Sequence, residues 1–186
     1  QVSVALTLRS RTGLVTLAFV ASEVPLKHTL APTACAWCTA DGVDLAVRAL
    51  FQGPDPARSL TGNLGADTAS NVTTFALVPA LAIGSTALWT SLAGTSWTDA
   101  VLDVLLATET GFATLLLTQV VKFQVARARP FVSDLPPDQW PATQKPDDNQ
   151  LSFFSGHAAF ATSVVVAAAL GQTLRRFPFA WVTWAV

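Results

Sequence analysis

Residues 68–98 contain no charged side chain. A run of that length leaves few folds open. Read as a helix, Val72 to Ala93 reaches about 33 Å, enough to cross the hydrocarbon layer of a bilayer. Pro79 and Gly84 fall inside the run. Both are tolerated in a membrane helix, where neighbouring groups take up the freed backbone positions. The competing reading is a buried helix of a soluble protein. Composition weighs against it: 51% of residues are hydrophobic and 12% charged, against about 25% charged in a typical soluble domain. The net charge of −1 offers no basic field for nucleic acid. With 186 residues the chain is long enough for one domain with a sizeable core.

Further spans follow. Residues 99–121 form a second candidate, with Asp99 and Asp103 one turn apart near its start and Glu109 near its middle. The first two suit a membrane surface. A carboxylate at mid-span must face protein or water and find a partner, so Glu109 reads as a hydrogen-bonding tie between helices. Residues 158–174 are a third charge-free span, ending at Arg175-Arg176, and Phe177 to Val186 begins a fourth. Residues 12–22 are apolar but short. They read either as the end of a signal-like segment, with Val20-Ala21-Ser22 as its cleavage site, or as a first membrane helix running past Glu23. Three regions result: an N-terminal apolar segment at 1–31, a polar segment at 32–71 and a helical domain at 72–186. The chain has no Met and stops within an apolar run. Both features are expected of a fragment or processed form lacking its C-terminal end.

Basic residues favour the cytoplasmic side of a membrane. Placing Arg9 and Arg11 there, and Arg175 and Arg176 there, gives one consistent topology. Residues 23–71 and 122–157 then lie on the outer face. Cys35 and Cys38, the only cysteines, fall on that oxidising side. A zinc ribbon would need a second pair. The two read as a redox pair or local disulfide, or as two unrelated thiols. Asp41, Asp44 and Arg48 alternate at helical spacing with Val43, Val47 and Leu50, predicting a short amphipathic surface helix. Asn71-Val72-Thr73 matches a glycosylation sequon but sits at a membrane mouth, where chance explains it better. Residues 131–151 hold four prolines and four aspartates and predict a long functional loop. Asp147-Asp148-Asn149 within it could suggest a metal, but reads first as a solvated run of loop charges.

Two short motifs carry chemistry. In Lys122-Phe-Gln-Val-Ala-Arg-Ala-Arg129-Pro130 the outer cations are seven residues apart. On a helix they would differ by about 20° in direction and project from one face. Arg offers a planar fork for phosphate oxygens and Lys a point charge. Arg127 would point elsewhere, as a surface charge. Pro130 restricts Arg129 and should end the helix there. Basic residues at a helix end also snorkel to headgroups with no substrate involved. On the outer face, however, such a cluster wants a reason, and a bound anion supplies one. The second motif is Phe154-Ser155-Gly156-His157, at the start of the 158–174 helix. Ser155 is a candidate N-cap. The free backbone N–H groups of a helix start favour an anion, and Gly156 permits close approach. His157 stands beside that position, either as a proton donor or as a capping, packed histidine.

Together the motifs resemble the type 2 phosphatidic acid phosphatase (PAP2) superfamily, which includes bacterial non-specific acid phosphatases and vanadium haloperoxidases. Its first motif, Lys-x6-Arg-Pro, is matched in full at Lys122 to Pro130. Its second, Pro-Ser-Gly-His, is matched at Ser155-Gly156-His157, with Phe154 in the place of Pro. The resemblance covers roughly residues 60–186. It implies an all-α, polytopic membrane helix bundle of the PAP2/haloperoxidase type. The third motif, Ser-Arg-x5-His-x3-Asp, has no match; the histidines are His28 and His157 alone. The expectation is a truncation just before it rather than a degenerate, inactive member.

The resemblance implies that Lys122, Arg129, Ser155 and Gly156 hold phosphate and that His157 protonates the leaving group. A histidine beyond residue 186 would form a phosphohistidine, and no metal or cofactor is required. The expected substrate is a phosphomonoester or diphosphate, with a lipid phosphate favoured by the membrane setting and the outward site. Two alternatives stay open: a vanadium-haloperoxidase-like enzyme, and a non-catalytic membrane protein with a relic anion site. The fragment 1–186 alone is expected to be inactive.

Overall fold

The structure is a computed structural model that describes residues 13–23, 27–38, 42–43, 46, 64–129, 132, 136, 138–139, 146–152 and 155–185, with side chains from 68 onward in the stretch beginning at 64. The expected surface helix around residues 41–50 lies largely outside these. The described residues are almost wholly helical, with one isolated backbone bridge between Trp37 and Arg127. The chain divides into two compact units. One holds residues 1–21, 68–117 and 156–186; the other holds 22–67 and 118–155.

Three helices are long and apolar enough to cross a membrane: Thr68–Ala93, Trp97–Val125 and Gly156–Leu174. The first is not uniform. A π turn at Thr73–Leu77 separates Leu64–Val72 from Val78–Ala93, and the Val78 N–H reaches back to the Thr73 carbonyl. Pro79 explains the wide turn. It lacks an N–H, and its ring would press on the carbonyl four residues earlier. Gly94, at φ 61°, takes the left-handed position that closes a helix and that glycine adopts without strain.

Large apolar side chains on these helices face outward: Val72, Phe75, Leu81, Leu88, Leu92, Val101, Leu106, Leu117 and Leu174 are all exposed. A surface this apolar suits lipid rather than water. The hydroxyl groups are handled locally. Thr86, Thr90, Thr108, Thr110 and Thr173 each donate to the carbonyl four residues earlier, at 2.7–2.9 Å. That bond satisfies a polar group without help from solvent.

Inside the first unit, Ala82, Leu115, Phe160, Val164 and Ala168 form the buried core, with Phe19 and Phe112 packed against it. Gln172, fully buried, ties three elements together. Its amide donates to Ser85 Oγ (2.9 Å) and Thr86 Oγ1 (3.2 Å), and its carbonyl oxygen accepts from Thr183 Oγ1 (2.7 Å). Thr183 belongs to the short helix Ala180–Trp184. Arg175, just past the third helix, forks onto Asp103 through Nε (2.5 Å) and NH2 (2.9 Å) and reaches Asp99 Oδ2 through NH1 (3.3 Å). Asp99 and Asp103 therefore serve as partners for one arginine. Glu109 is half-buried and has no hydrogen-bond or ion-pair partner among the described residues, so the tie expected of it is not found there.

At Gly111 the second and third helices pack closely. A Cβ there would lie 2.7 Å from a ring carbon of Phe160 and 2.8 Å from a methyl of Val164, whereas one at Gly84 would meet nothing within 4 Å. Gly111→Val should lower stability by about 1–3 kcal/mol through overpacking. Gly84→Val should leave the melting temperature nearly unchanged. Thermal unfolding in detergent, followed by tryptophan fluorescence, separates the two; equal effects would refute the close packing at Gly111.

Candidate phosphate site

The second helix ends at Val125, four residues before the expected stop at Arg129. Ala126 turns the chain at φ 46°, a left-handed conformation that costs a residue with a Cβ about 1 kcal/mol. The backbone bonds that follow hold the turn in place. Ala36 N–H donates to the Ala126 carbonyl (3.0 Å) and Ala128 N–H to the Trp37 carbonyl (2.9 Å). On its other side the segment is held by Ser152 N–H to the Arg127 carbonyl (3.1 Å) and Arg129 N–H to the Asn149 carbonyl (2.8 Å). Lys122 and Arg129 therefore do not share a helix face. Lys122 lies in the helix and Arg129 in an extended stretch beyond it. Arg127 is not a free surface charge either: its guanidinium lies 4.6 Å from the centre of the Trp37 ring. Trp37 stands beside Cys38, and Cys35 and Cys38 are joined by a disulfide.

Arg129 nevertheless finds an anionic partner, Asp148, which the sequence reads first as a solvated loop charge. Asp148 closes a 3-10 turn at Pro146–Asp148 and is mostly buried. Its carboxylate pairs with Lys27 and, at 3.4 Å, with Arg129 NH2. Arg129 Nε also donates to the Asp148 carbonyl, 2.9 Å. Lys27 lies within 3.4 Å of Glu23 as well. Burial by itself would raise the pKa of Asp148. The positive charges of Arg129, Lys27 and Lys122 outweigh it and hold the carboxyl below the ordinary carboxylate value. For Lys27, burial opposes the charge, and the contacts with Asp148 and Glu23 reverse that, so its pKa is raised. Next door, His28 Nδ1 lies 2.5 Å from Asp147 Oδ2. Asp148 is thus paired with cations rather than left to solvent, and Asp147 has a histidine partner. No group of three or more metal-ligating side chains is found among the described residues. Gln119 Nε2, one turn before Lys122, and Gln150 Oε1 are buried without a partner among the described residues, and water or a ligand would have to satisfy them.

Ser155 is exposed and precedes the helix Gly156–Leu174, the position of an N-cap. Gly156 and His157 open that helix and belong to the first unit, while Lys122, Arg129 and Ser155 belong to the second. Within the first unit, His157 Nε2 lies 2.7 Å from Asn71 Oδ1, and its ring packs on Phe75, 5.3 Å between centroids. An amide oxygen only accepts, so Nε2 is the donor in this contact. Asn71 is a second residue that the sequence did not single out; its one signal was membership of a sequon. In the second unit, the signals for Lys27 and Asp148 were a lone cation after an apolar segment and a charge in a proline-rich loop. Neither pointed to the other.

Residues 100–186 match the family described as the PAP2 superfamily. No curated protein and no solved structure matches the chain in the other two comparisons.

The Asp148 pairs make a pH prediction. A carboxyl whose folded pKa is depressed contributes its full stability above its unfolded value, near 3.8, and loses it as pH falls through the lower folded value. Acid titration of the melting temperature from pH 6 to about 3 should show a drop that Asp148→Asn flattens. Parallel acid profiles for the two proteins would contradict the ion pairs described.

Proposed function

We propose that this chain, which residues 100–186 place in the PAP2 superfamily, is a membrane phosphatase that hydrolyses a phosphomonoester or diphosphate, with a lipid phosphate as substrate. A phosphatase-type or haloperoxidase-like activity follows from the family; the rest is our reading. One observation carries it. Lys122 to Pro130 reproduces the Lys-x6-Arg-Pro pattern inside the matched segment, and Arg129 shares one anionic group, the Asp148 carboxylate, with Lys27. Residues already arranged around a carboxylate suit a phosphate oxygen.

In this reading Lys122 and Arg129 bind the phosphoryl oxygens and stabilise the charge that builds on them. The arginine offers its fork and the lysine a point charge. Ser155 and Gly156 contribute backbone donors at a helix start. His157, oriented by Asn71, passes a proton to the leaving oxygen. In the family pattern a further histidine attacks phosphorus and forms a phosphohistidine, which water then cleaves. Residues 1–186 offer no match to that motif, so the attacking step is assigned to none of them. The three apolar helices favour a lipid substrate, whose tail stays in the bilayer while its headgroup reaches the charged segment. The positive-inside pattern favours an outward-facing site.

The test is phosphate release from phosphatidate and from a polyprenyl diphosphate by the intact protein in detergent with a chelator present. His157→Ala and Arg129→Ala should each lower kcat/KM by about 10²–10⁴. Full activity in both variants would remove the assignment. Vanadate-dependent bromide oxidation without phosphate release would instead favour the haloperoxidase alternative.

A further inference from the structure

Lys27 lies outside both family motifs, and nothing in the sequence ties it to them. In the structure it shares the Asp148 carboxylate with Arg129, and the Lys122 charge bears on that carboxylate too. Two cations thus pair with one anionic group, one of them a phosphate-binding residue of the reading above, and Lys122 acts on it at longer range. Lys27 and Asp148 side chains are only 17% and 16% exposed. At that depth water screens charge poorly, and an unpaired lysine would be costly. The carboxylate supplies one negative charge where a phosphate monoester would supply about two. With Glu23 included, the cluster sets three cations against two carboxylates; a dianion in place of the Asp148 carboxylate would make it three against three.

We propose that Lys27 is a third phosphate-binding cation of this site, and that the Asp148 carboxylate holds the anion position until a phosphate group displaces it. This rests on the reading of Lys122 and Arg129 as phosphate ligands. The ligand chemistry is a phosphate dianion, free or on a lipid headgroup. Asp148 sits on the 3-10 turn Pro146–Asp148, a short element able to swing its side chain aside without unwinding a long helix. Lys27, which also lies 3.4 Å from Glu23, keeps one carboxylate partner when Asp148 leaves, so its charge is never stranded.

The experiment is binding of inorganic phosphate, and separately of short-chain phosphatidate, to the whole protein in detergent by calorimetry. Lys27→Gln should weaken phosphate binding about tenfold, the worth of one charge-assisted hydrogen bond. Lys27→Arg should restore most of it. Asp148→Asn should tighten binding about tenfold, because phosphate no longer competes with a carboxylate. Asp148→Glu, which keeps the charge, should resemble the wild type. Binding unchanged in Lys27→Gln, or weakened in Asp148→Asn with the fold intact by circular dichroism, would overturn the proposal. If Asp148→Asn does not fold, the wild type gives the answer. Phosphate should shift an aspartate carboxylate band in isotope-edited infrared difference spectra, and no shift would count against displacement. Arg129→Gln separates the two claims. If it loses binding while Lys27→Gln does not, only this inference fails. If it binds like the wild type, the phosphate site itself is misassigned. Phosphatidate binding that follows the same pattern, with higher affinity, identifies a lipid as the source of the phosphate group; equal affinities identify the phosphate group alone as what is recognised.

Discussion

Lipid offers no hydrogen bonds, and that constraint organises the membrane part of this protein. Polar groups on the three long helices gain from partners within the protein. The threonines do so by donating to the carbonyl one turn back. Gln172 does so collectively, with both ends of its amide bonded to hydroxyls from two other helices. Breaking one of those bonds would strand a buried donor or acceptor, so the contacts specify which helices meet and at what level. Arg175 does the same at its level, where it collects Asp103 and Asp99 on one guanidinium. The carboxylates of the second helix are thereby tied to the end of the third.

Much of this was legible in the sequence, because hydropathy reads length and charge directly. The span starting near residue 72 and the one ending at Leu174 follow from charge-free runs. Their bounds moved by a few residues, the first beginning at Thr68 in the structure. Gln172 was not legible: a neutral amide does not interrupt an apolar run, and its partners lie 86 and 87 residues away. The π turn before Pro79 was also silent, since a membrane helix absorbs proline in several ways.

The charged segments were harder to read for a different reason. Helical periodicity put Lys122 and Arg129 on one face, and the structure does not. Backbone pairing of residues 126–129 with residues 36–37 on one side and 149–152 on the other overrides the local helical preference. Arg129 still finds an anionic partner, Asp148, by tertiary contact rather than helical repeat. A motif records which residues are needed and at what separation. It does not record the path of the chain between them, and a sequence period is a poor guide where the backbone has better partners elsewhere.

The same contacts bear on topology. Lys27 meets Asp148, and residues 36–37 meet residues 126–128, within one compact unit, so both stretches belong on one face of a membrane. Two helices long and apolar enough to cross one, Thr68–Ala93 and Trp97–Val125, lie between them in the sequence, and an even number of crossings returns a chain to the side it left. Contacts and hydropathy thus agree without reference to charge. The disulfide Cys35–Cys38 lies in the same unit, and disulfides persist in oxidising compartments. Lys27 and Arg129 lie close together in that unit, and Asp148 and Glu23 compensate their charge within the protein.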